Sequence, residues 1–311
     1  MALPNTANAI TKGTMFPAEL VPEFLNKVRG HSSLAKMSGA KPTPFNGNTL
    51  FTFAMDNEVD IVAEAGAKSA GGATVGTKTV TPIKIEYGAR VSDEFLWASE
   101  EMRMSILETF AEGWSKKVAR GLDIMAMHGV NPRTGLAAST LIGTNNFDSA
   151  VTNSVTYLAN SSTADANIEA AIALVQGGEY DVSGAILGNT IKGALAAMTG
   201  SDGHRLYPDL AWGNNPGAIN GLPVDANSTV EFNSALARAY VGDFANLFRW
   251  GIAKELPIEV IRYGNPDNDA TAGDLAGHNQ VYLRGEAFVG WAIMDPAGFA
   301  KVVAPEVVAS T

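Results

Sequence analysis

The residues with chemistry to offer are few, and their spacing defeats each reaction they first suggest. The run Gly71-Gly72-Ala73-Thr74-Val75-Gly76-Thr77-Lys78-Thr79 has the glycines and the lysine of a phosphate cradle. A cradle needs that lysine one place earlier and a helix N-terminus directly behind it, whereas Pro82 and strand-like alternation follow here. Asp267-Asn268-Asp269 opens like a calcium loop, but Ala272 stands where the turn needs glycine and His278 where a bidentate carboxylate belongs. His31, His128, His204 and His278 are scattered without metal-ligand spacing. Ser201-Asp202-Gly203-His204 holds side chains suited to acid–base work, yet triad members converge from separate segments rather than from one tetrapeptide. No Gly-x-Ser-x-Gly elbow or dinucleotide fingerprint is present. The chain has no cysteine, which removes thiolate catalysis, disulfides and cysteine-ligated metals. The expectation is a protein without catalytic residues, cofactor or metal.

The elements that would have to position any site are more informative. Residues 45–91 read as two extended arms around a long tip: Leu50, Phe51, Phe53, Val59, Ile61 and Val62 on one side, Val80, Ile83, Ile85 and Tyr87 on the other. The tip, residues 65–76, is rich in Ala and Gly and has little to bury. An isolated two-stranded hairpin is marginal in water, so this arm is expected to lie on another copy of the chain. Ser92 suits an N-cap, with Asp93 and Glu94 in the first turn behind it. Ile106, Phe110, Trp114 and Val118 then recur every four residues, while charge runs from Glu108 and Glu112 to Lys116, Lys117 and Arg120. At about 1.5 Å per residue, a helix over 105–127 would span about 35 Å, the length of a spine.

Around these stand other segments. A short helix is expected to begin near Pro17 or Pro22 and end about Gly30. Past Gly135 come helices over 165–175 and 190–198, a buried strand over 185–187, a long loop over 200–216, and strands near 237–241 and 247–252. The end returns to strands over 258–262 and 281–294, bracketing an acidic loop with Asp267, Asp269 and Asp274. Trp97, Trp114, Trp212, Trp250 and Trp291 are dispersed, as core or interface anchors would be, and form no base-stacking platform.

Net charge is −10, which argues against tight nucleic-acid binding, since that needs clustered Lys and Arg to neutralise phosphates. Before Pro42 the balance reverses, with Lys12, Lys27, Arg29, Lys36 and Lys41 against Glu19 and Glu23, as in a docking arm. No window is apolar enough to span a bilayer and the N-terminus has no signal-peptide pattern, so a soluble protein made in the cytoplasm, with no membrane partner, is expected.

The order of these pieces resembles the major capsid protein of tailed bacteriophages with the HK97-type fold. The likeness is carried by Pro42-Thr43-Pro44-Phe45-Asn46-Gly47, by the run from Glu86 to Glu94, by Gly221-Leu222-Pro223-Val224, by Gly242-Asp243-Phe244 and by Asp295-Pro296-Ala297-Gly298-Phe299. It implies an α+β fold with an N-terminal arm (1–43), a long β-hairpin E-loop (44–91), a P-domain with the spine helix (92–135), a mixed α/β A-domain (136–255) and returning P-domain strands with the acidic loop (256–311). It also implies a structural, non-enzymatic protein that forms hexamers and pentamers and closes them into an icosahedral shell around packaged double-stranded DNA. Implied partners are other copies of itself, a portal and decoration proteins; relatives often carry an N-terminal scaffolding segment, and because this chain starts almost directly on its arm, a separate scaffolding protein, or none, is expected. The implied interface residues are Gly66, Lys68, Gly71 and Gly72 in the hairpin tip, with Arg90, Asp267 and Asp269. Some relatives join an E-loop lysine to a neighbour's asparagine with a glutamate assisting, and Lys68, Asn279 and Glu286 are the residues of those types; a non-covalent shell is expected nonetheless. The acidic loop is expected to be solvated, the alternative being that several copies meeting at a symmetry axis share a cation. An encapsulin-type compartment has the same architecture, and a cytosolic hydrolase using His204 with Asp202 or Asp209 is the reading from another class.

Overall fold

The computed structural model describes residues 31–55, 58–97, 100–157 and 163–305; the helix expected before Gly30 lies outside them. The first described element is α1 (Ser33–Met37), capped by Ser32, whose hydroxyl accepts from the Ala35 N–H. Strands β1 (Asn48–Met55) and β2 (Ala73–Val80) pair antiparallel from Asn48↔Val80 to Met55↔Ala73. The return arm of the hairpin therefore ends sooner than the alternation suggested. Pro82 has no N–H to donate and interrupts the run. Beyond it β3 (Ile83–Ser92) pairs with a distant strand instead, while Val59, Ile61 and Val62 lie in no strand.

After β3 come a four-residue helix α2 (Glu94–Trp97) and the spine helix α3 (Glu100–His128), followed by α4 (Phe147–Ala150). The mixed region contains β4 (Ser154–Thr156), α5 (Ala164–Gly177), β5 (Gly184–Leu187), α6 (Asn189–Ala197), β6 (Ala218–Ile219), β7 (Leu222–Ala226), β8 (Ala237–Gly242) and α7 (Phe244–Leu247). The chain closes with β9 (Phe248–Ile261), β10 (Gln280–Ile293) and β11 (Phe299–Val303).

Two sheets organise this chain around the spine. One has the order β3-β10-β9 and carries α3 on its face. Leu107 packs with Ile258, Val281 and Leu283, and Trp114 and Val118 share a core with Ala287 and Val289. Trp114 is 4% exposed, so the helical phase read from its spacing is correct. It lies on Gly285, where an added Cβ would come within 3.1 Å of the indole, and against Tyr87, with ring centroids 6.5 Å apart. A side chain at 285 would push the helix off the sheet.

The other sheet has the order β4-β11-β8-β5-β7-β6, and α5 and α6 share its apolar core. Here two expected boundaries move. Strand β9 is continuous across 255/256, where the sequence suggested two pieces in different domains. Its register with β10 shifts between Glu286↔Leu256 and Arg284↔Glu259, so Pro257 falls in a bulge of an edge strand, where its missing donor breaks no ladder. Strand β11, expected among the returning strands of the first domain, instead inserts between β4 and β8 of the mixed sheet.

Candidate assembly surfaces

The hairpin is built to leave one face bare. On β1, Phe51, Phe53 and Met55 point to the same side, opposite Thr77, Val75 and Ala73 of β2. Their exposures are 77%, 63% and 78%, and Val75 is 63% exposed. At the root, Val80 is buried with Ala292 and Met294 and anchors the hairpin to the subunit. Gly66, Lys68, Gly71 and Gly72 are all exposed in the tip. The phosphate-cradle reading of that run fails physically: residues 73–80 are a strand, with no helix N-terminus behind the glycines.

The acidic loop is organised by Arg90. Its guanidinium grips Asp267 through Nε (2.8 Å) and Nη2 (2.6 Å) and also donates to Asn265, Gln280 and the carbonyls of Ala272 and Gly273. The Arg90 hydrogen bonds hold the Asp267 carboxyl down at about 2, below the usual carboxylate range. Asp269 accepts from the N–H groups of Thr271 and Ala272, and Asp274 from those of Gly264 and Gly277. These carboxylates are turned into their own backbone, and among the described residues no group of three or more metal-ligating side chains occurs. Arg90 and Asp267, expected at an interface, pair with each other within the subunit and set the shape of the loop.

Of the three residues suited to a cross-link, Lys68 is exposed at the tip. Asn279 has a left-handed backbone, φ 52°, and its carbonyl accepts from the Asp93 N–H. Glu286 is buried on β10 in ion pairs with Lys84 (2.9 Å) and Arg284 (3.3 Å). Seven residues of extended chain, about 23 Å, separate Asn279 from Glu286 in one subunit. Within its own subunit the Glu286 carboxylate is already engaged by two cations.

A polar junction that sequence reasoning missed lies where arm, spine and mixed sheet meet. Asp123, fully buried on α3, accepts from Ser32 Oγ (2.5 Å), Ser33 N (2.9 Å), Leu34 N (3.2 Å), Asn227 Nδ2 (3.2 Å) and Thr229 Oγ1 (3.3 Å). Burial pushes its carboxyl up to about 6 against the pull of donors at Ser32, Ser33 and Leu34. Asp225 on β7 accepts from the Ser33 hydroxyl, Lys36 Nζ (2.7 Å) and Asn215 Nδ2 (2.9 Å). Five residues past Asp123, His128 bridges Asp148 and the Thr229 carbonyl, with Nδ1 2.7 Å from the carboxylate and Nε2 2.8 Å from the carbonyl oxygen. The signal was present: Asp123 interrupts the apolar run Leu122-Asp123-Ile124-Met125, and a carboxylate there must be satisfied from another segment. Ser201 to His204 forms no comparable constellation, because Asp202 accepts from the His204 backbone N–H rather than from its ring.

The family model for the phage capsid family matches residues 12–304. The chain belongs to the phage capsid family. Among solved structures, a chain from Mycobacterium phage Ogopogo is 29% identical with a TM-score of 0.73, over 88% of this chain and 92% of that one. A chain from Gordonia phage Cozz is 24% identical with a TM-score of 0.72, over 88% of this chain and 87% of that one. A structure described as the capsid of an empty GTA particle, at 15% identity and TM-score 0.59 over 88% and 90%, shares the fold alone. No curated protein matches the sequence significantly.

The subunit is thus a structural major capsid protein with an HK97-type α+β fold, and the family is not an enzymatic one. Membership implies self-association and a place in the virion capsid. No helix among the described residues is long and apolar enough to cross a membrane. Four of the short motifs of the resemblance turn out to be turn chemistry, while the run from Glu86 to Glu94 lies mostly in β3. Gly47 and Gly221 take positive φ, and Asp243 and Asp295 cap the turns that follow them.

Proposed function

We propose that this capsid protein assembles through hexamers and pentamers into an icosahedral shell around double-stranded DNA, each hairpin lying across a neighbouring subunit and no covalent bond joining them. The observation that carries the reading is the bare face of Phe51, Phe53, Met55 and Val75, an apolar strip on a two-stranded ribbon with no cover of its own. The DNA is held without sequence recognition, consistent with a net charge of −10. A scaffolding protein, a portal and decoration proteins are the further partners this reading entails, and synthesis takes place in the host cytoplasm. The arm contributes through the junction at Asp123 and Asp225, and Arg90, Asp267 and Asp269 shape the loop that meets other subunits.

The test is Phe51→Ser combined with Phe53→Ser. Both residues are exposed, so the melting temperature of the free subunit should stay close to the parent's, while negative-stain microscopy should show particles lost. Normal particles from this variant would refute the hairpin contact. Parent particles, boiled in detergent, should run as one monomer band; an oligomer ladder abolished by Lys68→Ala would instead make Lys68, Asn279 and Glu286 a cross-linking site.

A further inference from the structure

Between the paired strands, residues 56–72 hold Asp56, Glu58, Asp60 and Glu64 against Lys68, four acidic less one basic for a net charge of −3, and Glu58, Asp60, Glu64 and Lys68 are exposed. Val59 and Ile61 stand between the acids at 94% and 96% exposure. A segment of bare β-branched side chains interleaved with carboxylates suits a basic surface that offers some apolar contact.

The subunit has such a surface. Lys116, Lys117 and Arg120 share one exposed face of α3, where Glu112 pairs with Lys116 at 2.8 Å. Arg120 stays exposed while donating to Ser228 (3.1 Å) and lying over the Phe232 ring at 5.8 Å. The loop after the helix lies alongside, with Pro132 3.7 Å from where a Cβ on Gly121 would sit, and it adds exposed Arg133 and Leu136, the latter 70% exposed. From 112 to 133 the exposed charges are four basic and one acidic, a net of +3. Both surfaces are exposed in the same subunit, so neither is covered by the other at home.

We propose that the tip around Val59 and Ile61 docks on the Lys116, Lys117, Arg120 and Arg133 face of a second copy of this chain. This rests on the reading that the hairpin engages a neighbour, and it names the receiving surface. Opposite charges at the rim would set register and speed encounter, with Val59 and Ile61 supplying the apolar contact against Leu136 and the lysine stems.

The experiment is a charge swap. Lys117→Glu with Arg133→Glu should lower particle yield about tenfold or more, since facing like charges costs at least the 1.4 kcal/mol that this factor represents. Adding Asp60→Lys and Glu64→Lys to the same chain should restore assembly. Parent yield from the first variant, or no rescue by the second pair, overturns the proposal. If the first variant melts below the parent, Lys117→Gln with Arg133→Gln reads the same face. Assembly that then needs lower salt than the parent supports docking, and unchanged salt dependence overturns it. The serine variant at Phe51 and Phe53 separates the two readings. If it loses particles while the charge-reversed chain assembles normally, the hairpin contact stands and only the receiving face is wrong. Should both assemble normally, the hairpin contact itself fails.

Discussion

The hairpin and the carboxylate junction are opposite solutions to burial. At the junction, five donors close on Asp123 and three on Asp225, so charges that would be costly inside a protein are satisfied within one subunit. In the hairpin, Phe51, Phe53 and Met55 remain in water although the subunit has a well-packed core around Trp114 and Trp291. A buried charge that is satisfied at home belongs to folding. An apolar strip left bare while the core is complete belongs to assembly, and mutations in the two regions should separate along that line.

The largest effect on the subunit is expected at the spine. Trp114→Ala removes the indole that fills the space between Gly285 and Tyr87, and should cost about 3 to 5 kcal/mol in a denaturant melt. Coincident melts would contradict its burial and place the spine outside the self-sufficient half of the comparison.

Next comes Asp123→Asn, read through its pH dependence. Burial raises the carboxyl from 3.8 to about 6, so the folded subunit holds a proton that the unfolded chain has released. That contribution is fully present below about pH 4 and is lost as pH rises through 6. The stability of the parent relative to Asp123→Asn should therefore grow as pH is lowered from about 7 to about 5. A difference that does not vary with pH would show that the surrounding donors outweigh burial and keep Asp123 ionised throughout.

Arg90→Lys sits between the regions and should act locally. Lysine cannot reproduce the two-pronged grip on Asp267, so amide exchange over 264–279 should quicken while the global melt stays close to the parent's. In the parent, the Asp267 carboxyl is depressed to about 2, so its contribution is present above pH 4 and is lost as pH falls through 2. Loop protection should follow that course. Loss of global stability in Arg90→Lys would move the loop to the folding side of the comparison.

Much of the architecture was legible because it is written in local periodicity. The four-residue recurrence of Ile106, Phe110, Trp114 and Val118 marked the spine, and Trp114 is buried as that phase requires. The apolar run Ala185-Ile186-Leu187 marked a strand that is buried throughout. The errors fell where pairing partners are remote. Alternation over 83–91 is equally good for a hairpin arm and for a strand of another sheet, and only the ladder with β10 distinguishes them. The sequence suggests two strands, near 247–252 and over 258–262, although β9 runs on through Pro257, which a bulge on an edge strand absorbs.

The site divides in the same way. By itself the sequence determined the absence of thiol chemistry, the acidic balance, the spine and a hairpin too poor to stand alone, because composition and short-range period suffice for each. Tertiary structure decided that Arg90 and Asp267 are partners, 177 residues apart, and that Glu286 pairs with Lys84 and Arg284. It also decided that Asp123 binds the arm. Each of these depends on which strands close against which, and the free energy that selects a non-local pairing comes from surfaces brought together across the whole chain rather than from any window of it.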